Sequence, residues 1–298
     1  MSRPVFRAAP TRVRVPATSA NQGPGFDAFG LALGLHDDLV AQVVDTPGIR
    51  VDIGGEGADT LPRDGKHLVA KIMRQAFDVL GGQPRGLEIV CANRIPHKRG
   101  LGSSAAAIVG GLNLARSLVL SGTSLMSDDD LIALATDLEG HPDNVAAAAL
   151  GGATISWMEN RVGVPTGCAV RFSVDQSIRA LLLIPSTQLA TNKARRMLPE
   201  TIPHKDAAIN AGRAALLVHA LTARPDLLFV ATEDHLHQNY RREGMPKSVD
   251  LVAKLRGAGV AAMISGAGPS VLVLHNSTDA EHDDIVKSAG DAFRPLDV

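Results

Sequence analysis

The sequence predicts an α+β fold in two domains, and three observations carry that prediction. The chain has 298 residues, enough for two medium domains with cores of their own. Near its middle a strand-like run, Gly86 to Ile95, passes through a Gly-rich turn into a long helical run, Ser103 to Leu120. Its second half closes helix, strand, turn, strand, helix, the pattern of an α+β sandwich.

The elements follow in order. Thr11 to Pro16 alternates and reads as a strand, Thr18 to Asp27 as a turn-rich loop, and Ala28 to Leu35 as an apolar segment. Leu39 to Val44 and Ile49 to Ile53 read as strands joined by Thr46-Pro47-Gly48. Leu68, Val69, Ile72, Phe77 and Leu80 recur at helical spacing from His67, and Gly81-Gly82 stops that helix. Ser127 with Asp128, Asp129 and Asp130 reads as an N-cap with acids in the first turn. That helix runs to Leu138, is interrupted by Glu139–Asn144, and gives way to short Val145–Leu150 and a strand, Ala153 to Trp157.

Arg161 to Gly167 reads as a hairpin or linker, which divides the chain into residues 1–165 and 166–298. Beyond it come a strand (Ile178–Ile184), a short helix (Asn192–Met197) and helices Lys205–Thr222, Pro225–Arg242 and Val249–Ala258. Strands Val260–Ile264 and Val271–Leu274 and a last helix, Ala280–Phe293, complete it.

Bulk properties exclude several classes. A formal charge of −1 provides no basic field for nucleic acid and no polybasic arm for a membrane. No run of about 18 apolar residues exists to span a bilayer, and Met1–Pro10 lacks the apolar core of a secretory signal. Cys91 and Cys168 each lie in or beside an apolar run, which suits buried thiols in a reducing, cytoplasmic compartment better than a disulfide. Trp157 and Tyr240 read as packing residues.

Chemistry concentrates at Pro96-His97-Lys98-Arg99-Gly100-Leu101-Gly102-Ser103-Ser104-Ala105-Ala106. The first amides of a helix have no intrahelical partner, and its dipole places partial positive charge there. Glycines let the preceding backbone curl so that such amides converge, which suits phosphate. Ser103 and Ser104 can cap the helix or offer a hydroxyl to a metal. A capped helix after a tight turn uses the same residues. No Gly-Lys-Ser/Thr triplet marks a P-loop. Gly257-Ala258-Gly259 follows a helix and precedes a strand, the wrong context for a dinucleotide fingerprint.

Other polar clusters are each compatible with a bland role. Asn21 and Asp27 sit in a loop fixed by Gly23, Pro24 and Gly25; Glu139, His141, Asp143 and Asn144 fall within six residues. Gly266 and Gly268 lie in a turn between two strands, which a simple hairpin would explain. Arg195 and Arg241 could be solvated surface arginines. His235 and His237, two apart in a predicted helix, do not face one ligand and read as non-metal histidines.

The central stretch resembles the second motif of the GHMP kinases, Pro-x3-Gly-Leu-Gly-Ser-Ser-Ala. Pro16-Ala17-Thr18-Ser19-Ala20-Asn21-Gln22-Gly23-Pro24-Gly25-Phe26-Asp27 resembles the first motif as homoserine kinases spell it, with Gln22 in place of the usual Leu. Ser265-Gly266-Ala267-Gly268-Pro269-Ser270 resembles the third, and Ala194-Arg195-Arg196-Met197-Leu198-Pro199 a further family stretch. This resemblance implies a two-domain GHMP kinase fold, a ribosomal S5 domain 2-like N-terminal domain and a ferredoxin-like α/β sandwich at the C-terminus. It implies ATP, bound along Pro96–Ala106, and phosphorylation of L-homoserine.

It also implies Mg²⁺ held by Ser104 and Glu139, a substrate pocket of Asn21, Asp27, His141, Asp143, Arg195, Arg241, Gly266 and Gly268, and catalytic duty for Asp143, Asn144, Ser104 and Glu139. Asp143 stands where a base would, its role open, and Arg242 competes with Arg241 for the pocket. A homodimer is kept open. Two alternatives stand beside this reading: a GHMP kinase for mevalonate or a sugar, and a non-catalytic relative that only binds ligand.

Overall fold

The computed structural model describes residues 4–298, so the first residues of the Met1–Pro10 stretch lie outside the described residues. Strand β1 (Thr11–Ala20) alternates as predicted but runs four residues past Pro16. After a register shift between Pro16 and Thr18 it pairs Thr18–Ala20 with Gly30–Ala32. The first loop is therefore shorter than its sequence suggests.

β2 (Phe29–Val44) is a single strand of 16 residues, not an apolar segment and a separate strand. The polar His36–Asp38 triplet hides its continuity. Both acids are satisfied in place: Asp37 Oδ1 accepts the amides of Arg94 (2.6 Å) and Ile95 (2.9 Å), and Asp38 is ringed by Arg12, Arg14 and Arg94. Polar residues with partners do not break a ladder.

β3 (Gly48–Gly55) runs parallel to β4 (Gly86–Asn93), with helix α1 (Leu68–Val79) between them in sequence. Helices α2 (Ser103–Leu118), α3 (Gly122–Leu125), α4 (Asp128–Glu139) and α5 (Pro142–Leu150) follow, then β5 (Ala153–Arg161) and β6 (Val164–Phe172). The sheet order is β3-β4-β2-β5-β6, with β1 also on β2. Helices α1, α2, α4 and α5 pack on one another, and α2, α4 and α5 on the sheet.

The hairpin expected at Arg161–Gly167 is present, but it lies within this sheet, because every residue of β6 pairs with β5. A division at 165/166 would cut β6, and the change of sheet falls between Phe172 and Arg179. The outer half of this hairpin is exposed, so no buried alternation marks it in the sequence.

The second half contains β7 (Arg179–Pro185), α6 (Thr191–Arg195), α7 (His204–Thr222), α8 (Leu228–Ala231), α9 (Pro246–Gly257), β8 (Ala262–Ile264), β9 (Val271–His275), α10 (Asp279–Ala289) and β10 (Phe293–Asp297). Its antiparallel sheet has the order β10-β7-β9-β8, the ferredoxin-like arrangement. Both faces are buried, which explains why β7 reads as an unbroken apolar run. Leu182, Ile184, Leu272 and Leu274 join the large core shared with the first sheet; Leu181, Leu183, Val271 and Val273 join a second core with Val249, Leu255 and Ile285.

Two predicted helices are corrected. The last one stops at Ala289, Gly290 turns at φ 64°, and Phe293–Asp297 becomes an edge strand on β7. The run Pro225–Arg242 is helical only over α8 and two 3₁₀ turns, Pro225–Leu227 and Asn239–Gly244. There Asp234 takes the amides of Leu236, His237 and Gln238 on its carboxylate, a local alternative to the helical ladder.

Trp157 and Tyr240 are partly exposed and do not join either core. Cys91 and Cys168 are buried free thiols. No helix among the described residues is long and apolar enough to cross a membrane.

Candidate functional site

One cleft, of about 720 Å³ with its mouth, gathers segments far apart in sequence. Asn21, Asp27, the run Lys98–Ser104, Glu139, His141, Asp143, Asn144, Arg195, Arg241 and Gly266 all line it. Of the predicted site residues, Pro96, His97, Ala105, Ala106 and Gly268 do not. Pro96, Ala105 and Ala106 are buried in the protein, His97 faces Gly57, and Gly268 stands behind Gly100 against Met245.

The central turn owes its shape to left-handed backbone. Lys98, Gly100 and Gly102 have φ of 57°, 72° and 66°, which curls the chain into α2. Gly102 is the N-cap of α2, with no side-chain cap and no acid in the first turn, so the leading amides lack partners from the chain's own caps. A Cβ at Gly102 would overlap Thr18 Oγ1, which donates to Asn144 Oδ1 at 2.7 Å. A Cβ at Gly100 would overlap the Ser265 carbonyl. Ser265 Oγ donates to Gly100 O at 2.7 Å, so the third glycine loop packs directly onto this turn. The two cations of the turn diverge. Arg99 donates to the carbonyls of Pro185 and Ser186, both at 2.8 Å, whereas Lys98 is exposed at the cleft.

Opposite the α2 N-terminus, α4 ends at Glu139 because Gly140 turns left-handed at φ 93°. Ser104 Oγ donates to Glu139 Oε2 at 2.8 Å. Burial raises the pKa of Glu139 against the lowering effect of that bond and of nearby His141. A half-buried carboxylate beside a hydroxyl, both hard oxygens, fits Mg²⁺, which needs few protein ligands. Among the described residues no group of three or more His, Cys, Asp or Glu is arranged to hold a metal.

The start of α5 follows at once. His141 Nδ1 lies 2.6 Å from Asp143 Oδ1, which also accepts Asn144 N at 2.7 Å. Burial opposes charge on His141, but the bond to Asp143 and its negative charge outweigh burial and raise the imidazole's pKa.

Asn21 and Asp27 hold positive φ, 71° and 55°. Asn21 Nδ2 donates to Gly266 O at 2.8 Å, and its Oδ1 accepts the Asp27 amide at 3.0 Å, which ties the first loop to the third. Asp27 and Arg195, both expected in the substrate pocket, grip each other through two bonds of 2.7 and 3.0 Å. Arg241 is the buried member of its pair, 1 % exposed; Arg242 is exposed and paired with Asp250.

The Arg241 guanidinium donates to Gly266 O at 3.3 Å and to His237 Nδ1 at 3.1 Å, and its Nε has no partner. Among the described residues no carboxylate forms an ion pair with it, and burial with the nearby charge of Arg195 pushes its pKa down to about 10.

Sequence reasoning missed Thr18, Leu189, Thr191 and Ala267 as parts of the cleft or its support, and it left His237 unused. Thr18 stood inside the first motif and was available by position. Ala267 likewise stood inside the third motif, whereas Leu189 and Thr191 carry no signal of their own.

Residues 67–152 match the family model for the GHMP kinases N terminal domain, and residues 194–288 that for the GHMP kinases C terminal. The chain is 56 % identical to the homoserine kinase of Streptomyces avermitilis over 293 residues, 98 % of this chain and 94 % of that one. It is 58 % identical to the homoserine kinase of Streptomyces coelicolor, over 94 % of this chain and 89 % of that one. The crystal structure of a homoserine kinase from Cytophaga hutchinsonii superposes with a TM-score of 0.81 at 26 % identity, covering 99 % and 96 % of the two chains.

Proposed function

The chain belongs to the homoserine kinases of the GHMP kinase superfamily, and from that premise we propose how its cleft phosphorylates the side-chain hydroxyl of L-homoserine with ATP, a step of threonine biosynthesis. Phosphoryl transfer asks a protein chiefly for positioning and charge neutralisation. The open amides from Gly100 to Ser104 hold phosphate oxygens, with Lys98 adding charge at the rim. Ser104 and Glu139 hold Mg²⁺, which neutralises phosphate charge when bound. Arg99, anchored on Pro185 and Ser186, fastens the turn to the second sheet.

The observation that carries the substrate assignment is the buried Arg241 guanidinium with no ion-pair partner. A buried charge without a counter-ion is costly, and a ligand carboxylate at the cleft would relieve that cost. Asp27 receives the substrate's ammonium, supported by Asn21, and Arg195 shares the carboxylate with Arg241. Since Asp27 and Arg195 satisfy each other in this structure, a zwitterion exchanges one ion pair for two. Asp143 already accepts His141 and Asn144 through one oxygen, which favours an orienting role over that of a general base. Free buried thiols support a reducing, cytoplasmic location.

ADP release over a panel of alcohols tests this reading. Homoserine should be the best acceptor, and 4-hydroxybutyrate, which lacks the ammonium, a poor one. Arg241→Lys keeps the charge but loses the fork geometry, and it should raise the KM for homoserine roughly 30-fold. Faster turnover of mevalonate or a sugar than of homoserine would overturn the substrate assignment.

A further inference from the structure

Arg241 cannot choose its own orientation. It lies in a 3₁₀ turn, it is buried, and only one of its nitrogens has partners in the protein. One of those partners, His237, is also fully buried and has no part in the division of labour set out above. Its Nε2 lies 2.8 Å from the carbonyl oxygen of Gly23. A carbonyl only accepts, so Nε2 carries the hydrogen, and Nδ1 is left with its lone pair. Arginine only donates, and Nδ1 faces Arg241 Nη1 at 3.1 Å. The carbonyl on one side thus fixes the tautomer that receives the guanidinium on the other. Burial lowers the pKa of His237, which keeps that acceptor free of a proton.

The same ring ties two regions together. His237 stacks on Phe26, with ring centroids 5.2 Å apart and 28° between planes, and Phe26 directly precedes Asp27. The guanidinium carbons of Arg195 and Arg241 lie 5.7 and 5.5 Å from the Phe26 centroid. Asn210 Nδ2 donates to Pro24 O at 2.8 Å and anchors the loop from another side. The first loop, with Asp27 on it, and the second-domain arginine therefore share His237 and Phe26 as a spacer.

We infer that His237 is a positioning residue for homoserine: locked by Gly23 O and Phe26, it presents a single acceptor that aims the Arg241 guanidinium at the substrate carboxylate. This rests on the reading of Arg241 as the carboxylate contact. His237 touches no reacting atom, so its removal should act on homoserine alone and only through Arg241.

The test is a double-mutant cycle of His237→Phe, which keeps a stacking ring without either hydrogen bond, and Arg241→Met, read as KM for homoserine, KM for ATP and kcat in the full-length enzyme. His237→Phe should raise the homoserine KM about tenfold and leave the ATP KM within about twofold. The double variant should be no worse than Arg241→Met alone. His237→Gln, which carries one donor and one acceptor, should recover most of the loss, and His237→Leu, which keeps apolar volume without either hydrogen bond, replaces the Phe variant if that one fails to fold.

An additive double variant, an ATP KM that rises in step, or a native homoserine KM in a folded His237→Phe or His237→Leu variant would overturn the inference. A native homoserine KM in Arg241→Met would sink the pocket reading and this inference together.

Discussion

Helices α2 and α4 both begin near serines and end up in the same layer, yet their first turns are finished in opposite ways. At α4, Ser127 Oγ accepts the Asp130 amide at 3.1 Å, and the Asp130 carboxylate in turn accepts the Ser127 amide at 2.9 Å. Asp128 and Asp129 add negative charge to that turn. The Ser127 bonds hold the Asp130 carboxyl below its usual range. At α2 the cap is a glycine, the first turn has no acid, and the hydroxyl of Ser104 turns away to Glu139. α4 closes its first turn with its own side chains, and α2 has no side-chain cap of its own.

The arginines repeat the contrast. Arg12, Arg14 and Arg94 are exposed and surround Asp38, and the bonds from Arg14 and Arg12 hold its carboxyl well below the usual range. Arg241 is buried and has no such partner. In both cases the group that a folded chain would normally satisfy, and does not, faces the cleft.

The comparison breaks most sharply at Glu139, the residue that claims Ser104 from its capping role. Glu139→Ala should lower kcat by about 10²-fold or more, because phosphate charge then goes uncompensated in a confined site. The KM for homoserine should change little, as Glu139 is bonded to Ser104 at the start of α2 and not to Asp27, Arg195 or Arg241. Steady-state rates across a Mg²⁺ titration give the measurement, and near-native turnover at low Mg²⁺ would remove Glu139 from the metal.

A smaller effect is expected from closing the approach to the α2 amides. Gly102→Ala puts a Cβ on Thr18 Oγ1 at a φ of 66°, with strain of about 1–2 kcal/mol. ATP and ADP should both bind about tenfold more weakly, by calorimetry, while the far-ultraviolet spectrum stays native. Native nucleotide affinity in the folded variant would mean that the open turn holds no phosphate.

What was legible in the sequence follows the same division. Gly100, Gly102, Asn21, Asp27 and Glu139 stand in or beside stretches whose spelling resembles family motifs, and the fold brings all five to one cleft. Arg241 could not be separated from Arg242 by spelling, since two adjacent arginines differ only in which one the fold buries. His237 was hidden by an assumed helix that Asp234 unwinds with three local hydrogen bonds. Strand β10 was hidden because Phe293-Arg294-Pro295-Leu296-Asp297 is short, charged and on an edge, where pairing needs no apolar alternation. The joint between domains went astray for a related reason: the outer β5–β6 hairpin is exposed, and periodicity marks only what is half buried.

The smallest effect belongs to the closed helix end, and it tests whether the two ends are independent. Ser127→Ala removes the acceptor for the Asp130 amide and should cost about 1 kcal/mol of stability, a fall in Tm of roughly 2 °C in a chain of this size. Activity should not change. Ser127 lies one helix length from Glu139, about 18 Å over the twelve residues of α4. The Glu139 end is held separately, by Gly140 donating to Thr136 O at 2.7 Å and by Leu131, Ile132 and Ala135 in the core. Fraying at the first turn is therefore absorbed before it reaches the carboxylate. If Ser127→Ala lowered kcat at saturating substrate and at a temperature well below its Tm, α4 would be acting as a rigid rod that transmits its cap to the metal site, and the distinction between a structural and a functional helix end would fail at this pair.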